Sequence, residues 1–210
     1  MKIRWFGHSA FEIETQGKSI YLDPFDLPIE FNKADLILIT HEHYDHCDLE
    51  DIQKIKAENT IVVTTKTAAA KVPGNVKVIE EDMEYNTDYA KVKAVPAYNI
   101  NKPFHKKKFG VGFIVEIEGK RIFHGGDTDL IPEMKDFQNL DVAMVPIGGT
   151  YTMTAEEAAE AVKLMKPKLA IPMHYGKHVG SLNDAEKFKL AAEKFGITVK
   201  ILKQGESLEI

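Results

Sequence analysis

The segment HEHYDH at residues 41–46 packs four metal-seeking side chains, His41, His43, Asp45 and His46, into six positions. A chain extended from 41 to 43 points both imidazoles to the same side. Both can then reach one divalent cation at roughly 2.0–2.1 Å. Asp45 and His46 belong to the following turn and point elsewhere. The run can therefore serve two ions about 3.5–4 Å apart, the separation used in two-metal hydrolysis. Ions of this kind need further ligands from distant parts of the chain, and three candidates stand just beyond strand-like runs. His105 lies in AYNINKPFHKKKFG, Asp127 in RIFHGGDTD after two glycines that let backbone approach a ligand, and His174 in LAIPMHYG. A lone histidine at a strand end is ordinarily a surface or hydrogen-bonded residue. The chemistry rests on the ordered set.

These side chains need rigid elements behind them. Leu36, Ile37, Leu38 and Ile39 form a short apolar run that reads as a strand buried on both faces, ended by Thr40. Residues 2–6, 9–14 and 19–23 read as a β-meander with His8 at its bend and Asp23 at its end. Asp23 precedes Pro24 and suits either a turn cap or an acceptor for a ligand imidazole. Asp48 caps a predicted helix through about residue 58, with Leu49, Ile52 and Ile55 as its stripe. Strands follow at IVVTT, VKVIE and around Ala90, Val92 and Ala94, with a short helix at KTAAAKV. The second half repeats this plan. A hairpin around Glu118-Gly119-Lys120 delivers Asp127, DVAMVPIGG is a buried strand, and KLAIPM delivers His174. Thr154 and Glu157 form a capping box for a helix to Lys166 with Ala158, Ala161, Val162 and Met165 in the core. Asn183 and Glu186 repeat the capping pattern for a last helix with Phe188, Ala191 and Phe195 inward, and ITVKIL is the final strand. Two strand groups interleaved with helices fit two sheets packed face to face with helices outside. The chain reads as one domain of two architectural halves, about 1–98 and 99–210.

Residues 41–46 match the HxHxDH signature of the metallo-β-lactamase superfamily, and the later His, Asp and His arrive in that superfamily's order. WFGHSAFEIE, YLDPF, HGGDTD, DVAMVPIGG and PMHYG extend the resemblance over essentially the whole chain, toward small metal-dependent hydrolases related to ascorbate-6-phosphate lactonases. The resemblance implies the αβ/βα sandwich, an α/β fold of two mixed sheets with metals at one edge between the halves. It implies that His41, His43 and His105 hold one ion, that Asp45, His46 and His174 hold the other, and that Asp127 bridges them. It also places the histidine of the GHS segment, His8, near the metals, as a catalytic group that either supports a metal ligand from behind or contacts the substrate. Aspartate at position 127 resembles the lactonase, phosphodiesterase and nuclease branches more than true β-lactamases.

The expected activity is hydrolysis of an ester, lactone or phosphoester by a metal-bound hydroxide, with Asp45 or Asp127 orienting the nucleophile. Zinc suits the imidazole-rich set; manganese, nickel and iron also occupy N/O sites. Two divalent ions, two carboxylates and one hydroxide sum to about +1, which favours a small anionic substrate. The alternatives are a phosphodiesterase or nuclease, and a non-hydrolytic binding or redox protein on the same fold. A formal charge of −5 argues against broad nucleic-acid binding. Lys102, Lys106, Lys107 and Lys108 around His105 form either a solvated loop or an anion-binding one. Gly148–Met153, Lys177, His178 and Ser181 follow strand ends and can line a pocket, and His124 flanks the metal loop. Cys47, the single cysteine, reads as a small buried side chain and suits a reducing compartment. With no signal sequence or membrane-length apolar run, the expected location is the cytoplasm, with no membrane partner and scope for a homo-oligomer.

Overall fold

The computed structural model describes residues 1–210 and divides into two compact units, Met1–Glu80 with Leu202–Ile210, and Glu81–Ile201. Each unit contains one mixed seven-stranded sheet. The first comprises β1 (Lys2–Gly7), β2 (Ala10–Thr15), β3 (Lys18–Leu22), β4 (Ala34–Ile39), β5 (Lys56–Thr64), β6 (Val76–Val78) and the chain-terminal β14 (Ser207–Glu209), in the order β14-β1-β2-β3-β4-β5-β6. The β1–β2–β3 meander is antiparallel, and β3, β4, β5 and β6 run parallel. Parallel pairing needs crossovers, supplied here by α1 (Leu49–Ile55) between β4 and β5 and by α2 (Lys66–Ala69) between β5 and β6. Leu36, Ile37, Leu38 and Ile39 have no exposed surface, as expected of a strand with a neighbour on each side and cover on both faces. Ile52 and Ile55 of α1 pack with Ile37, Ile39 and Val62 in one apolar cluster. Each such aliphatic side chain contributes about 1.5–3 kcal/mol on burial.

The second sheet comprises β7 (Glu84–Asn86), β8 (Lys91–Ala97), β9 (Gly110–Ile117), β10 (Lys120–His124), β11 (Val142–Pro146), β12 (Leu169–Met173) and β13 (Thr198–Val199), in the order β13-β12-β11-β10-β9-β8-β7. It also has an antiparallel half, β7 to β10, and a parallel half, β10 to β13. The crossover helices of the parallel half are α3 (Ala155–Met165) and α4 (Leu182–Glu193). Thr154 and Glu157 form the capping box at the start of α3. Its stripe of Ala158, Ala161, Val162 and Met165 is fully buried. No helix is long and apolar enough to cross a membrane.

Several local expectations change. The units divide at Glu80/Glu81 rather than near 98, because β8 pairs with β9 along its whole length and belongs to the second sheet. Helix α1 stops at Ile55 because Lys56 is extended and pairs with Ala34. The cap of α4 is Ser181, which accepts from Asp184 N, and not Asn183. Phe195 lies beyond the end of α4, out of phase with its buried face, and stays 39% exposed under the Lys163 ammonium. The expected last strand shrinks to Thr198–Val199, and the chain continues into β14, which pairs with β1 of the first sheet.

Candidate metal centre

In the first unit, the loop from Thr40 to Cys47 is fixed at both ends. His46 N and Cys47 N donate to the His43 carbonyl at 3.0 and 2.9 Å, and Asp48 then caps α1 by accepting from Glu50 N and Asp51 N. Beneath the loop lies Asp23, fully buried. Its Oδ1 accepts from Thr40 N at 2.7 Å, and its Oδ2 accepts from Thr40 Oγ1 and His46 Nδ1, each at 2.7 Å. Thr40 Oγ1 has spent its proton on Asp23, so it accepts from His41 Nδ1 at 2.9 Å. One carboxylate therefore sets both tautomers. His46 is held directly and His41 through the threonine, with each Nε2 left as the lone-pair nitrogen.

The donor atoms converge. His41 Nε2 lies 3.1 Å from His43 Nδ1, close to the roughly 3.3 Å edge of a tetrahedral sphere with 2.0–2.1 Å bonds. The His41 and His46 rings are 4.1 Å apart. The ligand atoms of His8, Asp45 and His46 all lie within 4.8 Å of one another. His8 Nε2 donates to Asp45 Oδ2 at 3.0 Å, which makes His8 a partner of that carboxylate. Trp5 Nε1 anchors the bend by donating to the His8 carbonyl at 3.0 Å. His8 and Asp23 both adopt left-handed backbone (φ 49° and 44°), a strained conformation that concentrates at functional positions. Cys47 belongs to the apolar cluster that also holds Ile52 and Ile55 of α1, and burial pushes its thiol pKa up to about 11.

In the second unit, Asp127 aims one carboxylate oxygen at each of two histidines. Oδ2 is 3.3 Å from His105 Nε2, and Oδ1 is 3.1 Å from His174 Nε2. The His105 tautomer follows from its neighbours. Asn99 Oδ1 accepts from His105 N at 2.9 Å, which identifies it as the amide oxygen, so His105 Nδ1 must donate to it at 3.1 Å. His105 Nε2 then faces the carboxylate as a second acceptor. Two acceptors this close need a shared cation, either a proton or a metal ion. Imidazole and carboxylate donors of this kind suit divalent ions. His174 is nearly fully buried and left-handed (φ 60°). It is seated against Gly148, where a Cβ would come within 2.7 Å of the His174 carbonyl and 2.8 Å of its Nδ1. Only glycine leaves that space.

The loop carrying His105 is pinned by residues that motif reading missed. Asp129, two positions after Asp127, accepts from Asn99 Nδ2 at 3.1 Å, from Ile100 N at 3.0 Å and from Lys102 Nζ at 2.6 Å. Lys102 also donates to the Thr152 carbonyl, and Asn99 Nδ2 to the Tyr151 carbonyl at 2.9 Å. Lys107 pairs with Glu133 at 2.9 Å and lies over the Tyr98 ring. Two of the four lysines are thus committed to structure; Lys106 and Lys108 remain exposed. His124 is buried, and its Nδ1 accepts from Gly126 N, which shapes the turn before Asp127. His178 is exposed, and Ser181 serves as a helix cap. The paired carboxylates of HGGDTD were the available sign of the Asp129 anchor. Asn99 offered none.

Comparison with known proteins gives a consistent set of likenesses. The sequence profile of the "Beta-lactamase superfamily domain" matches residues 2–174. A UPF0173 metal-dependent hydrolase from Pyrococcus furiosus is 39% identical, with all of both chains covered. The crystal structure of a candidate metal-dependent hydrolase from Parabacteroides distasonis superposes with a TM-score of 0.88 at 34% identity, covering 97% of this chain and 93% of that one. A metallo hydrolase from Ignicoccus hospitalis gives 0.82 at 28% identity, covering 100% and 98%.

Proposed function

Because the chain belongs to the metallo-β-lactamase superfamily and, within it, to the UPF0173 group of metal-dependent hydrolases, we propose that it hydrolyses an ester, lactone or phosphoester bond in a small, anionic molecule. The observation that carries this reading is the Asp127 carboxylate, with one oxygen facing each of two imidazoles. In this reading His41, His43 and His105 hold one divalent ion, Asp45, His46 and His174 hold a second, and Asp127 bridges. Zinc suits the donors best. When bound, the ions supply Lewis acidity, which lowers the pKa of water and offsets the charge of an oxyanion.

The remaining work falls to the chain. Asp23 and Asn99 keep the imidazoles in the tautomers that present Nε2, so ligand geometry is set before substrate arrives. Asp45, with 28% of its side chain exposed, is the carboxylate open to solvent and accepts a proton from, or orients, the attacking water. His8 donates to Asp45 and holds it in one orientation. A small substrate is favoured over nucleic acid because Lys102 and Lys107, half of the basic loop, are spent on Asp129 and Glu133. Cys47, free and buried, suits a reducing cytoplasm. The test is a panel of lactones, carboxylic esters and phosphodiesters assayed with metal-replete protein. Turnover of at least one class that is lost in Asp127→Ala supports the reading, and no turnover on any class refutes it.

A further inference from the structure

We propose that Phe104 and Tyr151 form an apolar subsite beside His105 that receives an aromatic or aliphatic portion of the substrate. This inference rests on the hydrolase reading above. Phe104 and Tyr151 meet edge to face with ring centroids 4.7 Å apart, and they remain 40% and 38% exposed. Large apolar side chains in solvent need a reason when they cluster next to a candidate site.

Three features make this cluster a ligand surface. First, it is tied to His105. Phe104 is its chain neighbour, and Asn99 joins the Tyr151 carbonyl to His105 by accepting from the imidazole with one amide atom and donating to the carbonyl with the other. Second, it is rigid. Lys102 and Asn99 lock the loop before β9 to the loop before α3 through Asp129, Thr152 and Tyr151. A preorganised apolar surface binds without a further ordering penalty. Third, its size matches a small molecule. At these exposures the two rings offer on the order of 150 Å², from 150–250 Å² per aromatic residue, well below the roughly 800 Å² per partner of a stable protein interface. Of the nearby charges, Lys102 and Lys107 already have carboxylate partners. The substrate this describes has a hydrolysable polar centre and an apolar group next to it. Holding that group orients the reacting bond.

The experiment compares phenylphosphonate with methylphosphonate by isothermal titration against protein whose metal content has been measured. Phenylphosphonate should bind at least tenfold more tightly. In Phe104→Ala and Tyr151→Ala, exposed positions whose truncation leaves the core intact, the ratio should fall toward one while methylphosphonate affinity and metal content stay unchanged. Equal affinities in the native protein, a preference that survives both substitutions, or no binding of phenylphosphonate to metal-replete protein would each overturn the subsite and leave the metal centre standing. Protein unable to retain divalent metal would overturn the hydrolase reading itself, and the subsite with it.

Discussion

The two units prepare their metal-seeking side chains in different ways. The first draws His41, His43, Asp45 and His46 from one loop of six residues and holds two of them, His41 and His46, through a single buried carboxylate, Asp23. The second gathers His105 from the β8–β9 loop and Asp127 and His174 from just beyond β10 and β12, and fixes the two histidines with a neutral amide, Asn99, and a glycine cradle, Gly148. A compact loop can share one charged anchor, so its failure is collective. A dispersed set needs a separate support for each ligand, so its failures are local.

Substitution at the two anchors probes this contrast most strongly. Asp23→Ala removes the acceptor of Thr40 N, Thr40 Oγ1 and His46 Nδ1 together. With about 1–3 kcal/mol for each buried donor left unsatisfied, stability should fall by roughly 3 kcal/mol or more in urea unfolding. Metal affinity should drop at least 10–100-fold as the His41 and His46 tautomers are released. Asn99→Leu should be milder, costing about 1–3 kcal/mol and weakening chiefly binding of the ion proposed at His105. Equal losses at the two positions would erase the distinction between collective and local support.

Gly148→Ala comes next. Its Cβ would meet the His174 carbonyl at 2.7 Å and Nδ1 at 2.8 Å, so backbone or imidazole must move. The expected penalty is about 1–3 kcal/mol in stability, with weakened metal binding in a direct metal titration. Unchanged metal affinity in this variant would show that the cradle does not position His174. The smallest effect concerns Cys47. With its thiol pKa raised to about 11, far less thiolate is present at pH 8 than for an ordinary cysteine near 8.5. Iodoacetamide should therefore label the native protein roughly two orders of magnitude more slowly than the unfolded chain. Fast native labelling would mean that the floor of the compact loop opens to solvent.

The same contrast explains what the sequence revealed. HEHYDH was legible because all its chemistry is local, and the 36–39 strand because an uninterrupted apolar run between polar residues has few other uses. His105, Asp127 and His174 could be picked out only as strand-end residues in the right order. The interactions that hold them come from Asn99, Asp129 and Gly148, ordinary loop residues whose roles exist only after folding. Strand β14 escaped because its pairing with β1 joins the two ends of the chain, at a separation no local pattern encodes. The cap at Ser181 and the exposure of Phe195 show a further limit. A helical stripe read from sequence is only as good as its phase, and α4 starts and stops where its caps place it.

The proposed function requires the donors to hold a pair of divalent ions. Elemental analysis of protein purified without chelator tests it most directly, with Asp127→Ala measured alongside. About two equivalents of divalent metal per chain are expected, with zinc foremost, and a clear loss from the variant. Substoichiometric metal in the native protein after divalent ions are supplied, or two full equivalents retained by Asp127→Ala, would contradict it.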